Sequence, residues 1–270
     1  MSTKNSEGHN PLAYGRAACN PYRTAVRMVL DRLKWDCNPQ SRRSRKQLTA
    51  WKDRFPGQKA VIVCNGPSLL KTDLSLLRDV FTFGLNKINL LFDNSDFRPS
   101  CIVSVNELVL EQNADFYNHT DMPLFLGQAA TKTVEPRANV AFLNPTPALS
   151  FARDCSISVY YGYTVTNVAL QLAFHMGFRQ VALIGCDHTF ATKGRANATV
   201  ASGEKDHSHF DPRYFAGGVK WQLPDLLQSE VSYTLAHDVY QAHGGRVVNA
   251  TEGGELEIFE RVSIAEFVKG

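Results

Sequence analysis

Polar residues that could bind a phosphate follow the apolar run at residues 60–64. They form the segment Asn65-Gly66-Pro67-Ser68. The glycine allows a sharp turn and a close ligand approach, the proline sets the exit direction, and the serine can cap a helix or donate to a phosphate. A tight turn that binds nothing would use the same residue types. Because the segment is neither G-x-G-x-x-G nor a Walker loop, it predicts neither a dinucleotide cofactor nor an ATP-binding P-loop.

Two further asparagines follow apolar runs in the same way. Asn86 comes after the run at 81–85, and Asn106 comes after the run at 101–105. An asparagine side chain offers a donor and an acceptor without a charge, which suits the edge of a base or a ribose. A single asparagine at such a place commonly forms a local turn. Three of them at successive run ends, with Asn65, favour a shared nucleotide-binding function.

The segment at residues 162–176 begins with polar side chains that could meet an anion. Thr164, Thr166 and Asn167 stand where apolar residues begin to recur at helical spacing. They can cap the helix, and they can also bind an anion at its positive end.

Candidate acid–base residues lie in the second half of the chain. Asp187 and His188 follow the apolar run at 180–185, and His207 and His209 lie close to two carboxylates in a loop. Histidine is the natural general base near neutral pH, so we predict His209, His207 and Asp187 as the catalytic residues. The cluster could also hold a divalent cation, but its H-x-H spacing is not that of a closed zinc site, so no resident metal is predicted. An exposed polar loop is the alternative.

Alternating strands and helices must position these residues. The pattern predicts helices over 22–35, 166–176 and 228–243. It predicts strands over 60–64, 81–85, 101–105, 122–126, 139–143, 180–185 and 246–250. Short, wholly apolar strands are typical of a parallel sheet that is buried on both faces. The predicted fold class is therefore α/β: a Rossmann-like, mostly parallel sheet with helices on both faces.

Composition excludes several other classes of protein. Hydrophobic residues make up 44% and charged residues 20% of the 270 residues, which are ordinary globular values. A net charge of +3 gives no case for nucleic-acid binding through bulk charge. No C-x-x-C pair occurs, so no zinc ribbon is expected. Cys64, Cys101 and Cys186 adjoin apolar runs, so we expect buried, reduced thiols rather than disulfides. The cysteines are Cys19, Cys37, Cys64, Cys101, Cys155 and Cys186.

The N-terminal part differs from the rest in charge. Residues 1–45 are predicted to form a basic, helical extension, and residues 46–270 the Rossmann-like transferase domain. The stretch at 41–46 carries four cations in six residues. A solvated helix face explains such a run, and contact with anionic lipid or a polyanionic substrate is the alternative. Since no signal core or membrane-spanning run is seen, we expect a cytoplasmic protein, with peripheral contact to the inner face of the membrane as an option.

The ordered motifs resemble two related families. The run at 61–69 resembles the N-G-P-S-L signature of the bacterial sialyltransferases of glycosyltransferase family 42. It is equally similar to the proteins like archaeal 6-hydroxymethyl-dihydropterin diphosphokinase (the MptE-like proteins), which include a domain of flagellin glycosylation proteins. The second group is also similar at 83–89, 164–173, 183–188, 206–210 and 249–257. The resemblance runs in order over roughly residues 45 to 265.

This resemblance implies roles for individual residues. In the sialyltransferases, the N-G-P-S loop and the asparagines at strand ends hold a cytidine monophosphate donor. The implied donor-binding residues here are Asn65, Gly66, Ser68, Asn86 and Asn106. Asp187 matches the aspartate of their glycine-isoleucine-aspartate motif.

Two positions depart from the sialyltransferase pattern. Arg213 occupies the position that matches their catalytic histidine. Thr189 occupies one of the positions that match the tyrosines that assist the leaving phosphate. Either His207 or His209 has to substitute as the base, or the chemistry differs.

Three functions agree with these features. The first is a glycosyltransferase of surface glycan or glycoprotein biosynthesis, with a CMP-linked nonulosonic or ulosonic acid as donor, a glycan or lipid-linked acceptor, and no metal. The second is a diphosphokinase that moves pyrophosphate from ATP to a hydroxymethylpterin-like alcohol and needs Mg²⁺. The third is a nucleotide-binding module without catalysis. No nucleic-acid partner is predicted, and the oligomeric state is left open.

Overall fold

A computed structural model describes residues 20–192 and 194–270. Residues 1–19 of the predicted N-terminal extension, which include Cys19, lie outside the described residues. The helices are α1 (Pro21–Asp36), α2 (Pro39–Trp51), α3 (Glu107–Gln112), α4 (Ala114–His119), α5 (Val165–His175), α6 (Leu226–Ala242) and α7 (Ile264–Lys269). Short 3-10 helices occupy Pro67–Lys71, Leu74–Leu77, Ile88–Asp93 and Gln128–Lys132.

Eight parallel strands form the central sheet. The strands of the chain are β1 (Lys59–Val63), β2 (Phe81–Leu85), β3 (Cys101–Ser104), β4 (Leu124–Gly127), β5 (Val140–Leu143), β6 (Pro145–Thr146), β7 (Val159–Tyr160), β8 (Gln180–Ile184), β9 (Thr199–Ala201), β10 (Lys220–Gln222), β11 (Arg246–Asn249) and β12 (Glu260–Arg261). The order in the central sheet is β12-β11-β8-β1-β2-β3-β4-β5. The predicted α/β class is thus confirmed, and each predicted strand and helix is present with ends shifted by at most two residues.

The sheet is buried on both faces, as the apolar strands predicted. On β1, Ala60 and Ile62 pack into one core, whereas Val61 and Val63 pack into the other. All four side chains are fully buried. Alternate side chains of a strand point to opposite faces, so a strand with helices on both sides must be apolar throughout.

The order of the strands reverses beside β1. From β1 the chain builds outward through β2, β3, β4 and β5, and it then returns to place β8 on the other side of β1. In open α/β sheets, ligands bind beyond the carboxyl ends of the strands at such a switch point. The fold therefore directs attention to the turns after β1 and β8.

Helix α5 lies in the core beneath this switch point. Ten of its residues, Thr166 to His175, are buried. A polar side chain in such a helix needs a partner. Gln171 accepts from the N–H of Ala152 at 2.9 Å and donates to the carbonyl of Tyr160 at 2.6 Å. The helix is thereby joined to the chain that leads into the candidate site.

Helix α2 covers the edge strand β5. The hydroxyl of Ser44 accepts from the N–H of Phe142 at 3.0 Å, and Leu48 enters the core. Because α2 runs from Pro39 to Trp51, it extends across the predicted boundary at residue 45. The division into an extension and a domain stays a prediction.

The described cysteines are free thiols. Cys64, Cys101, Cys155 and Cys186 are buried, and Cys37 is exposed. This confirms the expectation of buried thiols for the three that adjoin apolar runs. Among the described helices, none is long and apolar enough to cross a membrane.

Replacing Ser44 tests how α2 is held on the sheet. Ser44→Ala leaves the buried N–H of Phe142 without an acceptor, so we expect unfolding free energy to fall by about 1–3 kcal/mol. Urea denaturation measures the change. Thr49→Ala removes an exposed hydroxyl from the same helix and should stay within about 0.5 kcal/mol of wild type. Equal stability of the two variants would show that the Ser44 contact contributes nothing.

Candidate functional site

A cavity of about 720 Å³ opens at the carboxyl ends of β1, β2, β3 and β8. Such a volume accommodates a nucleotide-sized ligand. The structure brings eight of the predicted site residues to its wall. They are Asn65, Gly66, Asn86, Asn106, Thr164, Thr166, Asp187 and His209. The predicted residues Pro67, Ser68, Asn167 and His207 do not line it.

The turns after β1 and β8 are joined to each other. The Gly66 N–H donates to the carbonyl of Gly185 at 2.8 Å. The carboxylate of Asp187 accepts from the Ser68 hydroxyl at 2.7 Å and from the Ser68 N–H at 3.3 Å. A Cβ on Gly66 would lie 1.9 Å from Oδ2 of Asp187. Close approach of the two turns, and not a positive φ, therefore requires the glycine.

This pairing changes the expected role of Ser68. The sequence predicted a hydroxyl free to donate to a phosphate, but that hydroxyl is committed to Asp187. Ser68 is buried inside the 3-10 helix that Pro67 begins. Both residues shape the turn from behind the cavity wall.

Asn65 presents an unused acceptor. Its side chain is only 8% exposed, and its Oδ1 atom is buried without a hydrogen-bond partner. Its backbone carbonyl accepts from the N–H of Phe210 at 2.9 Å, which ties the turn to the histidine-containing loop. An unpaired buried acceptor costs free energy. Asn65 lines the cavity wall, so its amide is a polar group of this turn that a ligand would meet.

The other two asparagines are held by neighbours. Asn86 adopts φ 49°, a left-handed conformation that asparagine tolerates, and its Oδ1 accepts from Ser104 at 3.1 Å. Asn106 caps α3 through Oδ1 and donates from Nδ2 to Gln222 at 2.9 Å. Both line the cavity, but their amide oxygens already serve the protein.

Two helices begin at the cavity wall. Thr164 caps α5, and its hydroxyl lies 3.2 Å from the hydroxyl of Tyr233. Leu226, the first residue of α6, also lines the cavity. The positive end of α5, which a neutral hydroxyl caps, attracts an anion, whereas the carboxylate of Asp225 already caps α6. Asn167 differs from the prediction, because it is buried and donates to the carbonyl of Tyr160 at 3.0 Å.

His209 and Asp206 form a hydrogen-bonded pair at the cavity. Nδ1 of His209 lies 2.7 Å from Oδ2 of Asp206. Burial acts to raise the pKa of Asp206, but the hydrogen bonds from His209 and from the N–H groups of Ser208 and Phe215 outweigh it and lower that pKa. The carboxylate therefore stays ionised and holds Nδ1 as a donor, which leaves Nε2 as the basic nitrogen.

Aromatic rings fix the orientation of this imidazole. The ring of His209 stacks on Tyr214 with a centroid distance of 4.0 Å, and Phe215 meets it edge-on at 5.2 Å. Lys87 supports the same loop from below, since its ammonium donates to the carbonyl of Tyr214 at 2.7 Å. Burial lowers the pKa of Lys87 to about 8. An imidazole held in this way would need little reorganisation to act as a base.

The structure separates the two candidate histidines. His207 is exposed and does not line the cavity. Arg213 also lies away from the wall, where it pairs with Asp211 at 2.7 Å and with Asp93 at 2.8 Å. Thr189 does line the cavity. His209 is thus the histidine of this loop that occupies a position suited to catalysis.

A second imidazole–carboxylate pair was absent from the predicted catalytic set. Nε2 of His188 lies 3.0 Å from Oε1 of Glu230, and His188 lines the cavity with φ 57°. The sequence position of His188, directly after strand β8, is the signal that could have identified it as a catalytic candidate. Its partner could not have been found, because Glu230 is 42 residues away on α6.

The wall of the cavity is acidic apart from its histidines. Glu107, Glu111 and Asp187 are its carboxylates, and the described lining residues include no lysine or arginine. Within residues 20–192 and 194–270, no three His, Cys, Asp or Glu side chains are gathered so that they could hold a metal ion.

Comparisons with known proteins add to this geometry. The model of the family described as 6-hydroxymethylpterin diphosphokinase MptE-like matches residues 38–193. No curated protein matches the chain. A solved structure, described as MAf glycosyltransferase from Magnetospirillum magneticum AMB-1, is similar with 17% sequence identity and a TM-score of 0.49. The match covers 83% of this chain and 38% of that one, so this chain spans about two fifths of the length of that protein.

Substitution of Gly66 tests the junction of the two turns. In Gly66→Ala the new Cβ must displace Asp187 or the carbonyl of Gly185, and we expect a loss of about 1–3 kcal/mol in unfolding free energy. Thermal and urea denaturation measure it. In Gly203→Ala the new Cβ meets only one atom, at 3.9 Å, so this control should match wild type. An equally stable Gly66→Ala protein would contradict the close approach of the turns.

Proposed function

The chain belongs to the family described as 6-hydroxymethylpterin diphosphokinase MptE-like, as its motifs predicted, and from that premise we propose that it is a transferase with a nucleotide-linked donor. Within that class we propose a glycosyltransferase that uses a nucleotide-activated sugar, with a CMP-linked nonulosonic or ulosonic acid as the donor. The acceptor we propose is a glycan or lipid-linked hydroxyl of surface glycan or glycoprotein biosynthesis.

The pair of His209 and Asp206 is the observation that carries this proposal. Nδ1 of the imidazole is held at 2.7 Å by an ionised carboxylate, and the ring borders a cavity at the switch point of the sheet. In the proposed reaction Nε2 takes the proton of the acceptor hydroxyl. The acceptor oxygen then bonds to the anomeric carbon, and the bond from that carbon to the phosphate oxygen breaks. The electron pair leaves with the nucleotide, and Asp206 stabilises the imidazolium.

The charge of the cavity supports a donor with a single phosphate. A triphosphate would bring several negative charges toward Glu107, Glu111 and Asp187 without a lining lysine or arginine among the described residues. A CMP-linked nonulosonic or ulosonic acid brings two negative charges, one on its single phosphate and one on the carboxylate of the sugar. The positive end of α5 can stabilise the phosphate charge on the leaving group.

The family description favours a second candidate, a diphosphokinase that uses ATP. That chemistry depends on Mg²⁺, which neutralises charge on the phosphates. Mg²⁺ commonly keeps several waters and takes one or two carboxylates. Glu107 and Glu111 line the cavity and are the residues that would hold it, since the carboxylate of Asp187 is already bound to Ser68. This candidate is the weaker one, because the described lining residues supply no lysine or arginine for the charges of a triphosphate.

A ligand screen by thermal shift separates the candidates. We expect CMP in the presence of EDTA to stabilise the protein by about 2.7 kcal/mol at 100 times its dissociation constant, which is a shift on the order of 5–10 °C. Asn65→Ala should reduce the shift, because it removes the unpaired Oδ1. Asn94→Ala, an exposed asparagine outside the cavity wall, is the matched control. Stabilisation by ATP only with Mg²⁺ would favour the diphosphokinase and contradict the CMP donor.

Separate substitutions of the two histidines by glutamine test the proposed base. We expect His209→Gln to lower kcat by about 10²–10⁴-fold, because it removes the basic nitrogen at the cavity. His207→Gln is the control and should keep wild-type kcat, since that side chain is exposed and outside the wall. Release of CMP from CMP-N-acetylneuraminic acid, used as the probe donor, gives the rate. Equal losses in the two variants, or a loss only in His207→Gln, would exclude His209 as the base.

A further inference from the structure

Helix α1 carries an uncovered apolar stripe. Its members recur at helical spacing and therefore share one face. They are Tyr22, Val26, Val29, Leu30 and Leu33, each between 53% and 81% exposed. Trp35 is the buried residue of this helix. An apolar stripe of this length on a surface helix marks an interaction site.

The opposite side of α1 attaches the helix to the rest of the protein. Trp35 is 1% exposed, and Arg32 donates to the carbonyl of Ile157 at 2.8 Å. Asp36 accepts from both Arg32 and Arg45. These contacts hold the C-terminal half of α1, so the stripe is presented outward by an anchored helix.

The charge around the stripe is strongly positive. Eight cations and two carboxylates give residues 21–51 a net charge of +6, although the whole chain carries only +3. Arg23, Arg27 and Lys34 follow one border of the stripe at helical spacing. The rest of the chain is therefore net acidic, and the cations are concentrated at one end.

The basic stretch at residues 41–46 is only partly free to contact a partner, because some of its cations have partners within the protein. Arg43 donates to the carbonyl of Pro136 at 3.0 Å, and Arg45 pairs with Asp36. Arg42 and Lys46 are exposed on α2. The stretch that looked most basic thus uses two of its four cations within the protein, whereas α1 combines cations with an apolar face.

We propose that α1 docks on an anionic lipid surface. The apolar stripe would enter the boundary between headgroups and acyl chains, as amphipathic interfacial helices do. Arg23, Arg27 and Lys34 would lie over lipid phosphates, aided by Arg42 and Lys46 of α2. A second copy of the chain fits less well, because pairing through α1 brings two segments of charge +6 together. Docking places the transferase next to a lipid-linked acceptor, but it does not depend on the proposed activity.

Vesicle flotation with the full chain tests the proposal without any assay of catalysis. We expect the protein to float with phosphatidylcholine vesicles that contain phosphatidylglycerol, and to stay unbound with phosphatidylcholine alone. Binding should weaken as salt rises, because exposed charges are screened. Absence of binding to the anionic vesicles, or equal binding to both kinds, would overturn the proposal.

Paired variants assign the binding to α1. Arg23→Glu/Arg27→Glu removes two cations, and we expect the partition coefficient to fall by at least about 30-fold. Lys71→Glu/Arg78→Glu makes the same charge change at two exposed residues elsewhere and should bind nearly as wild type. Val26→Ser/Leu30→Ser should also lose binding, whereas Leu70→Ser/Leu149→Ser, which changes two exposed leucines outside α1, should not.

The oligomeric state distinguishes lipid from a second copy. We expect light scattering to give the same mass for wild type and Val26→Ser/Leu30→Ser, and circular dichroism to show that both are folded. A wild-type dimer that becomes a monomer in this variant would assign the stripe to a partner chain and overturn the lipid proposal. Loss of binding in both charge variants alike would overturn its assignment to α1.

Discussion

The carboxylate of Asp187 spans the crevice between β1 and β8 and accepts hydrogen bonds from the hydroxyl and the N–H of Ser68. This contact joins the two turns on either side of the point where the order of the strands reverses. Gly66 has to lack a Cβ because Oδ2 of Asp187 occupies the space that a Cβ would take. The backbone carbonyl of Asp187 accepts a hydrogen bond from the N–H of Glu255 at 2.8 Å. One aspartate thus sets the spacing of three segments at the floor of the cavity.

The long connection between β8 and α6 completes the cavity from above. It carries the hairpin of β9 and β10, whose Trp221 lines the wall, and it carries the pair of His209 and Asp206. The connection is tied to the floor where the N–H of Phe210 donates to the carbonyl of Asn65. His209 and the turn after β1 are therefore held in one arrangement. Such preorganisation is what a reaction between two bound substrates requires.

Charge is distributed unevenly between the cavity and the surface. The wall of the cavity has the positive end of α5, whereas the N-terminal helices carry a net charge of +6. A cavity with three carboxylates and no described lysine or arginine suits a donor of low charge. A basic surface with an apolar stripe suits an anionic membrane. Under the two proposals, recognition of the small donor and of the acceptor's surroundings lies in different parts of the chain.

Much of the fold could be predicted from the sequence, and eight of the twelve predicted site residues line the cavity. The strands were evident because their residues are apolar without interruption, which is a local property of a doubly covered sheet. Asn65, Asn86 and Asn106 could be grouped because parallel strands end at the same edge.

Only the tertiary structure decided between His207 and His209, since a loop without periodicity does not determine which side chain turns inward. Ser68 pairs with Asp187, which is 119 positions away, and His188 pairs with Glu230, which is 42 positions away. The exposure of the stripe on α1 likewise depends on what the rest of the chain leaves uncovered. Local patterns determine the elements of structure, but the pairing of side chains depends on how distant segments pack.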